Sequence, residues 1–321
     1  MKIRLKNRGL IFNINEFKPF SDYQFAQSPQ LLAFEDYYRV YFSSRHKNLV
    51  NGMPISEVLY VDFDPNFKSI IDYSRKEVLN KPIMGAFDEH GVFPFHPFRT
   101  SDNELFAYLS GWSRRTSVPV ETSIGIAKSV DDGKTFTRLG PGPILTASLN
   151  EPFLVGDPYI VEQNKLLHMF YIAGVEWKYF ESETDPQRVY KIKKATSIDG
   201  INWIKNQFEL ISDAIGPDEC QALPTVVKNQ QEFIMAFCFR SAYGFRNEPK
   251  LGYKLDFAAS KDLLNWERRK IEVTISEHES SWDRDMQCYP NLSLLKGKLH
   301  LLYNGNNFGK FGFGLAVEDL S

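Results

Sequence analysis

Short apolar runs separated by polar turns recur along the chain at a nearly constant interval. Five of these runs contain a proline near their start. Each proline is followed 12 to 14 residues later by an aromatic residue inside a second apolar run. Proline lacks an N–H donor and is tolerated at the start of a strand rather than at its centre, so each unit is predicted to be strand, hairpin turn, strand. The prolines are Pro29, Pro94, Pro158, Pro224 and Pro290, spaced by 65, 64, 66 and 66 residues.

A second repeated segment follows these hairpins. The form Ala-x-Ser-x-Asp, followed by an aromatic residue, occurs around Ser129, Ser197 and Ser260. The pattern predicts a third strand that ends at the serine, a polar turn, and a fourth strand opened by the aromatic residue. Residues 56–70 resemble this segment loosely. The last repeat reaches only its third strand, and residues 9–15 are predicted to supply the missing fourth strand.

Five units of four antiparallel strands, closed by the N-terminal strand, predict an all-β chain folded as a five-bladed β-propeller. A pair of β-sandwiches or a β-helix are the alternative folds. No composition shift or linker divides the chain, so residues 1–321 are expected to form a single domain.

Composition and charge indicate which binding partners and which cellular compartment to expect. The net charge is −2, which gives no electrostatic reason to expect nucleic acid or an anionic membrane. The N-terminus has no apolar signal region and no run of 18 apolar residues occurs. The three cysteines, Cys220, Cys238 and Cys288, form no Cys-x-x-Cys pair, so we expect reduced thiols in a cytoplasmic protein without a metal site or cofactor.

The first strand of each propeller blade lines the central channel. The residues that precede the five prolines are therefore predicted to converge at one mouth of that channel. Polar residues slightly upstream should ring the same mouth, and a mouth rich in carboxylates and aromatic rings suits a sugar ligand. The residues before the prolines are Ser28, Phe93, Asp157, Leu223 and Tyr289; the upstream polar residues are Gln27, Asp88, Glu89, His90, Asp218, Glu219, Gln221, Asp283, Arg284, Asp285 and Gln287.

The chain resembles the glycoside hydrolase propellers of families 43, 32 and 68, and the phosphorylases of family 130. The resemblance rests on the five-fold period, on the Asp157-Pro158 pair in the third repeat and on Glu219, which precedes the first strand of the fourth repeat. This resemblance implies that Glu219 is the general acid and that Asp157 orients it and tunes its pKa. It places Ser28 where the family has an aspartate as general base. Since serine cannot activate water in that role, the chain departs from the family pattern here.

Three alternatives follow from that departure. Asp88 or Glu89 of the second repeat, or Asp285 of the fifth, acts as the base. Alternatively, phosphate is the nucleophile. The last alternative is that the site binds a sugar, or acts on an activated sugar, without hydrolysis. Arginines that follow second strands are candidates to hold an anion; they are Arg45, Arg99, Arg114, Arg240 and Arg246.

Further ligand contacts are predicted at His90, Trp112, Tyr289 and Asn304, in addition to Ser28. Trp112 ends a second strand and is a candidate stacking platform, whereas Asn304 opens an Asn-Gly-Asn turn that could bring backbone close to a ligand. The segments 218–227, 239–247, 282–295 and 303–316 also resemble propellers associated with bacterial surface-polysaccharide biosynthesis. We therefore expect a carbohydrate-active enzyme (a hydrolase, phosphorylase or sugar transferase) that acts on a glycoside or an activated sugar and binds a carbohydrate or sugar phosphate. The alternative is a non-catalytic sugar-binding or scaffold propeller.

Overall fold

The computed structural model describes residues 3–46, 54–181, 183–275 and 282–319. Short turns of helix occur at Lys18–Phe20 and Asn306–Gly309. The rest of the regular structure is strand. In chain order the strands are β1 (Arg4–Phe12), β2 (Tyr23–Ala33), β3 (Tyr38–His46), β4 (Ser56–Phe63), β5 (Ile70–Tyr73), β6 (Val92–Arg99), β7 (Leu105–Ser113), β8 (Glu121–Ser129), β9 (Thr137–Arg138), β10 (Val155–Gln163), β11 (Leu166–Lys178), β12 (Gln187–Ser197), β13 (Ile204–Lys205), β14 (Glu219–Asn229), β15 (Glu232–Ser241), β16 (Lys254–Ser260), β17 (Glu267–Arg268), β18 (Glu272–Val273), β19 (Cys288–Leu295), β20 (Lys298–Asn304) and β21 (Phe313–Glu318).

These strands form five small sheets arranged as the blades of a propeller. Blades 1 to 4 are β2-β3-β4-β5, β6-β7-β8-β9, β10-β11-β12-β13 and β14-β15-β16-β17, each antiparallel throughout. Blade 5 is β19-β20-β21-β1, with β18 added in parallel on its outer edge. The predicted five-bladed propeller is confirmed.

Ring closure comes from the N-terminal strand, as predicted. β1 pairs antiparallel with β21, with Lys6 opposite Val317 and Leu10 opposite Gly314. The strand begins at Arg4 and ends at Phe12, so it lies a few residues earlier than the expected 9–15. Closure in this way pairs the edges that an open ring would leave exposed.

Each first strand contains a bulge at the repeated proline. In every first strand, the proline and the residue before it have no paired residue on the second strand, and the register shifts there. Ser28, Asp157, Leu223 and Tyr289 have φ of 53°, 53°, 50° and 55°, in the left-handed region that residues with a Cβ rarely adopt. A bulge redirects the side chains next to it. The repeated proline therefore marks the position where each inner strand changes direction.

Aromatic residues at equivalent positions pack the blades against one another. The second-strand aromatics predicted from the repeat are fully buried: Tyr41, Tyr108, Tyr171, Phe237 and Tyr303. Tyr41 donates to Gly133 O at 2.7 Å and Tyr108 to Gly200 O at 3.3 Å, so the turn of one blade is tied to the second strand of the blade before it. The aromatic residues that follow the Ala-x-Ser turns, Phe136, Trp203 and Trp266, lie in or against these core clusters.

Within the described ranges, no helix is both long enough and apolar enough to cross a membrane.

Candidate functional site

A cavity of about 730 Å³ opens at the centre of the ring, on the side where the first strands begin. All five blades contribute to its wall. Three of the five residues before the prolines line it, namely Phe93, Asp157 and Tyr289. A larger and more open groove of about 1290 Å³ lies along the outer edge of blade 4, around residues 266–270. The central cavity is the better candidate because it combines a buried carboxyl group with buried guanidinium groups and aromatic faces.

Asp157 is the most buried carboxyl group of this cavity, with 8% of its surface exposed. Its Oδ2 accepts a hydrogen bond from the backbone N–H of Leu223 at 3.1 Å. Burial raises the pKa of Asp157 to about 6, against the lowering effects of the Leu223 N–H and of the Arg188 charge. Near neutral pH this carboxyl group therefore exists in both protonation states and is able to donate or accept a proton.

Ser28 occupies the corresponding place in blade 1 but is buried and hydrogen-bonded within the fold. Its N–H donates to Oδ1 of Asn304 at 2.7 Å, and its hydroxyl accepts a weak bond from Gln30 at 3.4 Å. Its neighbour Gln27 lines the cavity instead. The serine thus supports the wall of the channel rather than the reacting centre.

Glu219, the expected general acid, lies outside the cavity lining. Its side chain is fully buried and pairs with Arg268 of the same blade. It also accepts bonds from the N–H groups of Ala214 at 2.7 Å and Ile215 at 3.1 Å, and from Gln221 at 2.9 Å. These contacts give Glu219 a structural position, because its oxygens are already occupied by donors from the protein.

The acidic candidates of blade 2 also lie apart from the cavity. Asp88 is buried and pairs with Arg138, with both the Nε and the Nη2 contacts at 2.6 Å. Glu89 accepts the Gly85 N–H at 2.9 Å, and His90 packs against the ring of Trp112 with centroids 5.1 Å apart. Neither Asp88 nor Glu89 is placed to act as a base in the central cavity.

Three further predicted residues take other positions. Asp285 is exposed, and its backbone N–H donates to Asn306 at 2.9 Å. Arg99 is the last residue of β6, at the end away from the cavity, and donates to Asn103 Oδ1 at 3.1 Å. Asn304 is completely buried, where its Nδ2 donates to Ala26 O and Gly312 O, both at 2.7 Å. Asn304 therefore joins blade 5 to blade 1 and is not available to a ligand.

Other polar residues upstream of the prolines serve the fold in the same way. Asp218 pairs with Lys178 at 2.8 Å, and buried Asp283 accepts the Tyr303 hydroxyl at 2.6 Å. Arg114 lies 5.9 Å from the Trp112 ring centroid without lining the cavity. Asp218 and Asp283 therefore support the blades and do not line the central cavity, whereas Gln27 of the same upstream set does.

Five predicted contacts do meet in the cavity: Arg45, Trp112, Arg240, Arg246 and Tyr289. Arg45 comes from β3, Trp112 from β7 and Arg240 from β15, each near the end of a second strand. Second strands run opposite to first strands, so their ends lie beside the starts of the first strands. For this reason, residues at the ends of second strands were predicted to contact a ligand at the mouth of the channel.

Sequence reasoning missed the contribution of the third strands. Arg188 and Tyr190, near the start of β12, line the cavity, as do Glu183 from the preceding loop and Tyr253 beside β16. Tyr190 and Tyr253 share a hydrogen bond of 2.6 Å between their hydroxyl groups. Alternation along β12 could have found Arg188 and Tyr190, because both occupy the same face two residues apart.

Comparison with known sequences finds two uncharacterized proteins from strains of Mycobacterium tuberculosis. Each is 31% identical to this chain over 283 residues, which is 88% of the chain and 88% of the relative. The chain belongs to the same family as these mycobacterial proteins. No protein-family profile matches it.

Several solved structures with the same architecture are glycoside hydrolases. One of them, described simply as a glycoside hydrolase, has a TM-score of 0.74 at 17% identity, covering 98% of this chain and 92% of the other. A thermostable family-43 glycoside hydrolase has a TM-score of 0.61 at 13% identity, covering 92% and 88%. A glycosyl hydrolase from Bacteroides ovatus has a TM-score of 0.64 at 13% identity, covering 92% and 84%. At these identities the likeness establishes a shared fold, that of the five-bladed propeller hydrolases.

Proposed function

We propose that the central cavity binds a carbohydrate and that Asp157 transfers a proton during cleavage or transfer of a glycosidic bond. The observation that carries this proposal is the Asp157 carboxyl group, whose pKa is raised to about 6 by burial inside a cavity lined by aromatic rings. A carboxyl group with that pKa can protonate a leaving oxygen near neutral pH. The flat rings of Trp112, Trp177 and Tyr289 offer stacking surfaces for sugar faces.

A second carboxylate is needed to activate water or to act as nucleophile. Among the described residues, the other acidic side chains of the cavity wall are Glu183 and Asp185, on the loop between β11 and β12. Glu183 is half-buried, and its Oε1 accepts the Gly244 N–H at 2.8 Å, which fixes its orientation. In this proposal Glu183 takes the role that the resemblance had assigned to the Ser28 position.

The test is a screen of aryl glycosides and sugar phosphates with wild-type protein, Asp157→Asn and Glu183→Gln. We expect at least one substrate whose turnover falls by roughly 100-fold or more in Asp157→Asn, the usual size of a general acid–base contribution. The matched control is Asp36→Asn, in the exposed hairpin between β2 and β3, which should keep wild-type activity. Turnover that survives Asp157→Asn unchanged would reject the proposal.

A second candidate function is sugar binding without turnover. It is favoured by Ser28, which occupies the position of the family's base and is held within the fold by Asn304. Calorimetric titration separates the two functions: a binding propeller would take up a sugar with measurable affinity and yet release no product over long incubation.

The proposed setting is the metabolism of a surface polysaccharide from the cytoplasmic side. Two features support it: the resemblance of residues 282–295 and 303–316 to propellers of that kind, and the three buried cysteines, which are all free thiols. Fractionation of the native host, with detection of the chain by antibody, tests the location directly.

A further inference from the structure

Four arginines face the central cavity: Arg45, Arg188, Arg240 and Arg246. They come from blades 1, 3 and 4, with Arg246 on the loop that follows β15. Buried Arg39, by contrast, lies outside the cavity and is paired with Asp62 at 2.7 Å. Among the described residues, none of the four cavity arginines forms an ion pair with a carboxylate.

Arg240 is the most deeply placed of them, with 3% of its surface exposed. Its guanidinium carbon lies 3.5 Å from the centroid of the Phe245 ring, and rings of Tyr190 and Tyr253 flank it at 5.4 and 5.3 Å. One Nη donates to Ser241 O at 2.6 Å, while the buried Nε has no hydrogen-bond partner among the described residues. A buried cation with an unused donor is costly unless an anion joins it.

Arg45 repeats this arrangement in blade 1. Its Nε is also buried without a partner among the described residues, and its guanidinium group lies 5.2 Å from the Phe25 ring centroid. Burial lowers the pKa of Arg45, and burial together with the charges of Arg240 and Arg188 lowers the pKa of Arg246. The charges of Arg240 and Arg188 therefore disfavour the charge of Arg246, and a bound anion would relieve that repulsion.

We infer that the ligand of this cavity is an anionic carbohydrate, whose carboxylate or phosphate group is bound by Arg240 with Arg45, Arg188 and Arg246. Guanidinium groups bind both anions through paired N–H donors. The aromatic rings beside them contact the uncharged part of the sugar. This inference rests on the proposed carbohydrate site and adds the charge of the substrate to it.

The experiment is calorimetric titration at low and high salt with glucose, glucuronate, galacturonate, glucose 1-phosphate and inorganic phosphate. The protein is wild type, Arg240→Gln, Arg240→Lys or Arg246→Gln, each also in an Asp157→Asn background so that binding is measured without turnover. Arg99→Gln is the matched control, because Arg99 lies outside the cavity and bonds Asn103.

We expect a charged sugar to bind at least tenfold more tightly than glucose and to lose at least tenfold in affinity in Arg240→Gln, with partial retention in Arg240→Lys. Preference for the uronates identifies a carboxylate, whereas preference for glucose 1-phosphate with competition by inorganic phosphate identifies a phosphate. Arg246→Gln, at a less buried position, gives the same test if Arg240→Gln does not fold. Equal binding of charged and neutral sugars, or no binding of any charged probe, would overturn the inference. The first of these results leaves the proton-transfer role of Asp157 standing.

Discussion

Asp157 Oδ2 accepts the backbone N–H of Leu223 at 3.1 Å, and this bond joins the inner strand of blade 3 to that of blade 4. Other blades are joined by similar bonds: Ser28 N–H donates to Asn304 at 2.7 Å, and Leu292 N–H to Thr225 at 3.0 Å. The side chain proposed to move protons is therefore also one of the contacts that hold the ring together. Its chemistry and its contribution to stability are separable by experiment.

The pH dependence of stability should reveal the protonation of Asp157. Its pKa is about 6 in the folded chain, against an ordinary value of 3.8. Below pH 4 the group is protonated in both states. Between pH 4 and 6 the unfolded chain ionises first, so the stability contributed by this group is lost as pH rises through that window. One pKa unit corresponds to about 1.4 kcal/mol, so this loss is on the order of 3 kcal/mol.

Asn at this position cannot ionise, although its carbonyl oxygen can still accept the Leu223 N–H. Relative to wild type, Asp157→Asn should therefore gain about 3 kcal/mol in free energy of unfolding between pH 4 and 6, with no further change above pH 7. Urea denaturation across pH 4 to 8 measures this difference, and Asp36→Asn controls for loss of a surface charge. Parallel curves for wild type and Asp157→Asn would mean that the carboxyl group titrates normally.

Glu219 is predicted to matter for folding rather than for turnover. Glu219→Gln removes the fully buried charge that faces Arg268, and this half-buried cation keeps its pairing with Asp256. Because Arg268 keeps that partner, the loss should not exceed about 3 kcal/mol, the lower end of the cost of breaking a buried pair. Thermal unfolding should show a clear drop in Tm, while the exposed control Glu35→Gln should show almost none. A variant with unchanged Tm that has lost all turnover per folded molecule would instead restore the general-acid role that the resemblance implied.

The fold could be predicted from the sequence because the repeated signals lie close together along the chain. Proline positions, apolar alternation and the Ala-x-Ser turns each act within one hairpin, and the hairpins recur in register. The site could be predicted only in part, because whether a side chain is free to contact a ligand depends on partners far away in the sequence. Glu219 is occupied by Arg268 and Asp88 by Arg138, and these pairs join residues 49 and 50 positions apart. No spacing rule in a single sequence connects those positions.

The three Ala-x-Ser turns should make the chain sensitive to acid. At Asp199 the pKa is held below its usual range by the side-chain amide of Asn202, then by the backbone N–H groups of Asn202 and Ile201 and by the Ser197 hydroxyl. A lowered pKa gives stability that is present above about pH 4 and is lost as pH falls toward the folded-state pKa. Asp199→Ala should therefore be less stable than wild type at pH 7, and the gap should narrow below pH 4. Urea midpoints at pH 7 and pH 3 check this, with Asp36→Ala as control; a constant gap would contradict it.

Leu5 contributes to closure of the ring through contacts with residues far away in the sequence. This residue of β1 is fully buried in a cluster with Leu301 and Ala316 of blade 5 and Ile234 of blade 4. Leu5→Ala removes packing at the seam where the first and last strands of the ring meet, at a cost of about 3 kcal/mol.

The loss should be concentrated in blade 5, so amide hydrogen exchange in β21 should accelerate more than exchange in β11 or β15. Leu10→Ala, a half-buried position on the same strand, is the matched control and should leave β21 protected.

Because β1 is the outer partner of β21, opening at this seam exposes the β21 edge to another chain. Concentration-dependent association of Leu5→Ala, measured by light scattering, is the second readout. Unchanged exchange in β21 together with monomeric behaviour would show that blade 5 holds without its N-terminal strand.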